Sequence, residues 1–211
     1  VSPPAGASAR ARRIGLFGGT FDPVHNAHVA LAKLALEQLR LDEVWWIPTG
    51  EPWQKRWKPA PAHHRAAMVE LAIAGEPRFH LERIEIERSG PSYTLDTVRE
   101  LAALHPHSEW FLILGQDQYA NLHTWRGWEE LLGRVTLAVA GRAGQDPSVS
   151  PHLASVPHRV EALPLPAMPE SSTELRRALL EQGPSAEGVD RMVPAEVARY
   201  IELHRLYTRN A

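Results

Sequence analysis

The run Ile14-Gly15-Leu16-Phe17 leads directly into Gly18-Gly19-Thr20-Phe21-Asp22-Pro23-Val24-His25-Asn26-Ala27-His28, and helical apolar spacing then continues over residues 27–40. A short apolar run, a glycine pair and a helical period read as strand, turn and helix, the opening unit of an α/β fold. Glycines let the backbone turn sharply and approach a ligand closely, while a helix start aims free N–H groups at whatever lies above it. The unit is therefore built to bind an anion. It is not a Walker loop, because no Gly-Lys-Ser/Thr closes the turn, and it lacks the G-x-G-x-x-G spacing of a dinucleotide fingerprint. His25 and His28 are three residues apart, so they share a helix face and can both point into the phosphate space. Imidazoles placed there would stabilise charge on a transferring phosphoryl group. Alone, an H-x-x-H pair would read as a helix cap or half a metal site; the glycine turn before it favours phosphate.

Working outward, apolar runs at 44–47, 79–87, 110–114 and 135–139 alternate with helical patterns at 62–74, 93–104, 128–132, 172–180 and 195–206. Residues 160–165 add a short last strand weakened by prolines. The expected fold is a Rossmann-like open parallel sheet of five or six strands, with helices on both faces and a small helical part at the C-terminal end. The runs at 110–114 and 135–139 are apolar throughout, the pattern of strands buried on both faces. Residues 12–211 read as one domain behind a flexible tail, 1–11. Residues 48–61, rich in Trp, Lys and Pro, read as a mobile loop beside a site, and 141–158 as an irregular, variable segment. Trp45-Trp46 reads as core plus one partly exposed ring.

A chain of 211 residues that is 44% hydrophobic fills one sizeable core. Its formal charge of −2 gives no basic stripe for nucleic acid, so any phosphate must be met locally. With no cysteine, disulfide, thiol and cysteine-metal chemistry are excluded. No apolar run is long enough to cross a bilayer, and the expected location is cytoplasmic. His63, His64, His105 and His107 have no metal spacing and are assigned to surface and helix ends.

Ligands of open parallel sheets bind beyond the carboxyl ends of the strands, where strand order reverses. That rule selects the Gly18 turn, the 48–61 loop, Gly115-Gln116-Asp117, and Gly141-Arg142. Asp117 lies just beyond a buried strand, where it could meet a ligand or merely cap the next helix. Near the far end of the chain, Ser171-Ser172-Thr173-Glu174 supplies hydroxyl caps for a helix carrying Arg176, whose guanidinium can grip phosphate oxygens bidentately. In isolation that would be an ordinary cap with a surface arginine.

With these residues in view, G-G-T-F-D-P-x-H-x-x-H resembles the opening motif of the (T/H)-x-x-H nucleotidyltransferase superfamily, with Ala27 where glycine is usual. Ser171-Ser172-Thr173-Glu174-Leu175-Arg176 resembles its I-S-S-T-x-I-R motif, with Glu170 and Leu175 replacing the two isoleucines. Within the superfamily the chain is most similar to the bacterial nicotinate-nucleotide adenylyltransferases. Pro91-Ser92-Tyr93-Thr94, Gly115-Gln116-Asp117, Thr124-Trp125 and Arg142 extend the match from Ile14 to Tyr207 in the family's order.

The resemblance implies transfer of AMP from ATP to nicotinate mononucleotide, giving deamido-NAD and pyrophosphate, with Mg²⁺ held mainly by ATP phosphates. His25, His28 and Arg176 would be catalytic. Gly18, Gly19, Thr20, Phe21, Gly115, Asp117, Ser172 and Thr173 would join them in binding ATP. Lys55, Tyr93, Thr94, Trp125, Arg126 and Arg142 would bind the acceptor. Trp125 would stack on the pyridine ring, and the backbone N–H groups of Thr94 and Arg126 would read the nicotinate carboxylate. The implied partners are small molecules, with no nucleic acid and no membrane, and a homo-oligomer left open. The rival readings are an adenylyltransferase for phosphopantetheine or nicotinamide mononucleotide, and a sensor that binds nucleotide without turnover.

Overall fold

The computed structural model describes residues 10–51, 58–141, 145–168, 170–183 and 188–208. Six strands form one sheet: β1 (Arg12–Gly19), β2 (Glu43–Pro48), β3 (Phe79–Leu81), β4 (Ser108–Gly115), β5 (Thr136–Ala140) and β6 (Arg159–Leu163). All pairings are parallel and the order is β3-β2-β1-β4-β5-β6. The chain thus builds outward from β1 to one edge, then returns to β4 and builds to the other. This leaves a crevice between β1 and β4.

The period-2 alternation of strands divides the core into two layers. Phe17, Trp46 and Ile113 face α1 (Asn26–Gln38) and α2 (Ala62–Ile73). Leu16, Trp45 and Leu112 face the other way, where α3 (Ile84–Glu87) and α4 (Thr94–Leu104) follow β3. After β4 come α5 (Gln116–Ala120), a 3-10 turn (Leu122–Thr124) and α6 (Trp128–Arg134). The helix α7 (Pro151–Ala154) precedes β6. Three C-terminal helices follow, α8 (Ser172–Gln182), α9 (Val189–Met192) and α10 (Ala195–Leu203), and they add Leu175, Leu179, Val197 and Ile201 to the first layer.

Three expectations need correcting. The strand expected over 79–87 stops at Leu81. Its last ladder bond, from Glu82 N to the Trp46 carbonyl, is followed by the Glu82 carboxylate accepting from Ile84 N and starting a helical turn. The spacing from Leu81 to Ile84 is three residues, which already breaks a strand's period of two. Second, Trp45 and Trp46 are both buried, at 7% and 0% exposure, because adjacent strand residues point into opposite layers. Third, the irregular segment contains α7, whose Leu153 is fully buried, and Ser148 is tied to Gln116 by reciprocal hydrogen bonds. Residues 1–9 of the expected tail lie outside the described residues.

Gly50 follows β2 at a point of close backbone approach. A Cβ there would lie 2.0 Å from the Glu85 carbonyl oxygen. Gly50→Ala is therefore expected to lower unfolding stability by about 3 kcal/mol, through forced backbone displacement, as read by denaturant unfolding.

Candidate active site

A cavity of about 690 Å³ opens over the β1/β4 crevice. Each described residue expected in the site lines it: Gly18 to Phe21, His25 and His28 after β1; Gly115 and Asp117 after β4; Tyr93, Thr94, Trp125 and Arg126 at one end; and Ser172, Thr173 and Arg176 on α8. Lys55 and Arg142 lie outside the described residues. The 48–61 loop is described only at its two ends.

The glycine pair does not make the turn. Gly18 and Gly19 are the last residues of β1, paired with Ile47 and Pro48, and the left-handed residue is Phe21, at φ 49°. What the glycines provide is clearance. A Cβ on Gly18 would meet no atom within 4 Å, so this backbone faces open cavity, and one on Gly19 would press on the Phe21 ring at 3.0 Å. Phe21 in turn packs edge-on against Phe17 and His28, which holds the turn against the core.

His25 is the N-cap of α1, and His28 lies in the first turn. Their rings stack with centroids 3.6 Å apart, and the His25 N–H donates to His28 Nδ1 at 3.2 Å. With Nδ1 accepting, a neutral His28 carries its proton on Nε2, as a hydrogen-bond donor. Burial pulls the His25 pKa down to about 4. His28 is likewise lowered well below its ordinary value, by burial first and then by repulsion from His25. The pair is therefore neutral near pH 7 in the free protein. An arriving phosphate favours the protonated forms.

Arg176 faces the pair from α8. Its guanidinium donates to the Asp22 carbonyl at 2.6 Å and to Thr173 Oγ1 at 3.3 Å. Ser172 Oγ donates to the Pro23 carbonyl, and Ser171 Oγ caps α8 by accepting from Glu174 N, the capping expected from the sequence. The two motifs, about 150 residues apart in the chain, thus meet through direct hydrogen bonds.

At the other end Tyr93 is the N-cap of α4, which leaves Thr94 in the first turn, where helical N–H groups have no intrahelical acceptor. Arg126 lies over the Tyr93 ring, 4.7 Å from its centroid. Trp125 lines the cavity and packs on the second core layer, with its indole N–H buried and unpartnered among the described residues. Trp128 packs on the same layer. The arrangement suits an elongated anion, with phosphates at the centre and a flat ring at the Trp125 end.

Several buried polar residues around the cavity escaped the sequence reading. Asp22 is 2% exposed, and its Oδ1 accepts from Tyr207 Oη at 2.7 Å and from Ala60 N at 3.1 Å. Arg65, on α2, is 1% exposed. Glu85 is buried at the cavity floor, accepting from Thr97 Oγ1 at 2.8 Å, and burial pushes its carboxyl up from its ordinary value. Arg65 did leave a signal, because with Met68 and Val69 it occupies the i, i+3, i+4 stripe of an amphipathic helix, a place for an apolar residue.

A family profile described as Cytidylyltransferase-like matches residues 16–178. A Methylibium petroleiphilum protein named "Probable nicotinate-nucleotide adenylyltransferase" is 54% identical over 196 residues, covering 93% of this chain and 92% of that protein. A Bacillus pumilus protein of the same name is 41% identical over 197 residues, with coverages of 93% and 98%. The solved structure of Plasmodium falciparum nicotinic acid mononucleotide adenylyltransferase complexed with NaAD superposes with a TM-score of 0.76 at 21% identity. That match covers 93% of this chain and 97% of the other, a likeness of fold.

Proposed function

The chain belongs to the nicotinate-nucleotide adenylyltransferases, and we propose that it transfers the AMP moiety of ATP to nicotinate mononucleotide, forming deamido-NAD and releasing pyrophosphate. The observation that carries this reading is the stacked His25–His28 pair facing Arg176 across one cavity, whose far end holds Trp125. The nucleophile is a phosphate oxygen of the mononucleotide, already ionised at neutral pH, so no general base is needed. It attacks the α-phosphorus of ATP in line. The new P–O bond forms as the bond to the β-phosphate oxygen breaks, and the electron pair leaves with pyrophosphate. Positioning and charge neutralisation supply the catalysis.

In this reading His28 donates from Nε2 to the α-phosphate, and His25 steadies the incoming phosphate beside it. Arg176 holds the β- and γ-phosphates with Ser172 and Thr173. Gly18, Gly19, Thr20 and Phe21 allow the nucleotide to lie close to the backbone, while Gly115 and Asp117 border the ribose. Trp125 stacks on the pyridine ring, and the N–H groups of Thr94 and Arg126 donate to the nicotinate carboxylate. An amide in place of the carboxylate cannot satisfy two donors equally, and buried donors left unpaired discriminate strongly. Arg142 is assigned to substrate phosphates by its place after the fifth strand, and Lys55 by its place in the loop after the second.

Mg²⁺ is part of the proposal. Among the described residues no group of three or more His, Asp or Glu side chains could hold a metal ion, and Asp22 and Glu85 are engaged by protein donors. That donor set suits an ion bound chiefly by triphosphate oxygens, with Asp117 at the rim to assist. When bound, the ion supplies charge neutralisation for the departing pyrophosphate. No helix among the described residues is long and apolar enough to cross a membrane, and the proposed location is the cytoplasm.

Incubating the purified protein with ATP, Mg²⁺ and nicotinate mononucleotide is expected to release pyrophosphate and deamido-NAD stoichiometrically. Parallel reactions with nicotinamide mononucleotide and phosphopantetheine test the rival acceptors. Nucleotide binding without any product would replace this reading with a sensor.

A further inference from the structure

Arg65 is an almost fully buried guanidinium, and each of its nitrogens donates to a main-chain carbonyl. Nε bonds the Ala60 carbonyl at 2.8 Å, one terminal nitrogen bonds Thr20 at 2.8 Å, and the other bonds Gly50 at 3.1 Å. The three acceptors come from three segments. Thr20 is in the turn before His25, Gly50 follows β2, and Ala60 leads into α2. A planar fork with fixed donor directions sets the distance between such segments, which a flexible ammonium cannot do.

The fixed point extends to Asp22. Ala60 offers its carbonyl to Arg65 and its N–H to Asp22 Oδ1, which also accepts from Tyr207 Oη. The Asp22 main-chain carbonyl accepts from Arg176, and Asp22 Oδ2 stands 3.8 Å from the same guanidinium. One buried network therefore touches the turn on both sides of Phe21 and reaches the arginine across the cavity. Burial pulls the Arg65 pKa down from its ordinary value, and the carboxylates of Asp22 and Glu85 act against that pull.

We propose that Arg65 and the Asp22–Tyr207 pair are positioning residues for adenylyl transfer: they fix the backbone that sets His25 and His28 against Arg176, without touching substrate. The proposal rests on the adenylyltransferase reading of this cavity. Its signature is a loss in kcat with little change in KM, because misplacement by about 1 Å costs about 100-fold in rate while ground-state contacts survive.

The test compares full-length wild type, Arg65→Lys and Tyr207→Phe by pyrophosphate release, with circular dichroism fixing the folded fraction. Arg65→Lys is expected to lose about 100-fold in kcat per folded molecule, with KM for both substrates changed by less than about threefold. Tyr207→Phe, which removes one hydroxyl, is expected to lose about five- to tenfold and keeps the test open if Arg65→Lys does not fold. Unchanged kcat per folded molecule, or a rise in KM alone, overturns the proposal. A separate readout needs no turnover: the imidazole ¹⁵N spectrum is expected to show His28 as a single Nε2–H tautomer in wild type and as mixed tautomers in Arg65→Lys. A wild type that makes no product overturns the adenylyltransferase reading, and the spectra then decide the geometric claim, unchanged tautomers refuting it.

Discussion

Replacing His28 with alanine is expected to lower kcat by about 1,000-fold while the protein stays folded. The size follows from removing a preorganised donor aimed at charge that develops in the transition state, typically worth 10² to 10³ in rate. In the folded protein the His28 Nδ1 accepts from the His25 main-chain N–H, and in the proposed role its Nε2–H donates to the α-phosphate. Loss of the first is a helix-capping loss of about 1 kcal/mol, too small to unfold the chain. Loss of the second falls on the reaction. His28→Asn separates the two, since its amide can donate but cannot copy the stacked ring, and it is expected to recover only part of the rate. Turnover by pyrophosphate release and unfolding by circular dichroism check both. A His28→Ala rate within about tenfold of wild type would make the imidazole a structural cap alone.

How much of this site was legible in the chain depends on the kind of signal each residue leaves. The strand-turn-helix of β1 and α1 was written in local periodicity, and His25 and His28 sit beside each other because three residues are nearly one helical turn. The start of α8 was legible because Ser171 caps it with a hydroxyl and an acid three residues later, a local pattern again, but only the resemblance to the family motif set Arg176 apart from an ordinary surface arginine. The contacts that join the two halves were not legible. Arg176 to the Asp22 carbonyl spans 154 residues and Tyr207 to the Asp22 carboxylate spans 185, and no periodicity encodes which distant carbonyl a side chain will meet. Arg65 shows the intermediate case. Its place on the apolar stripe of α2 marks it as buried, yet its acceptors are main-chain oxygens, which leave no trace in residue identity. The same reason explains why Gly18 and Gly19 were given the turn: glycine permits either a left-handed φ or a close approach, and only the structure shows that Phe21 takes the left-handed position.

Arg176→Lys is the companion experiment on the opposite wall, and it is expected to lower kcat/KM for ATP by about 30- to 160-fold with most of the loss in kcat. Lysine keeps the charge, so long-range attraction for the triphosphate survives. What is lost is the planar fork, and a charge-assisted hydrogen bond of that kind contributes about 2 to 3 kcal/mol, which is this range of rate. The loss concentrates in kcat because the β- and γ-phosphates gain charge only as the bond to the α-phosphorus breaks, so a grip on them strengthens along the reaction. KM for nicotinate mononucleotide should move by less than about threefold, since that substrate is assigned to the Trp125 end, away from α8. A loss of the same size in both KM values would mean that the lysine had collapsed onto Asp22 and shifted the turn. The distinction matters because the Arg176 guanidinium is already bonded to the Asp22 carbonyl and to Thr173. Those two anchors leave it oriented across the cavity from His25 and His28 before any nucleotide arrives, so the expected cost of substitution is that of losing a preset geometry rather than a charge.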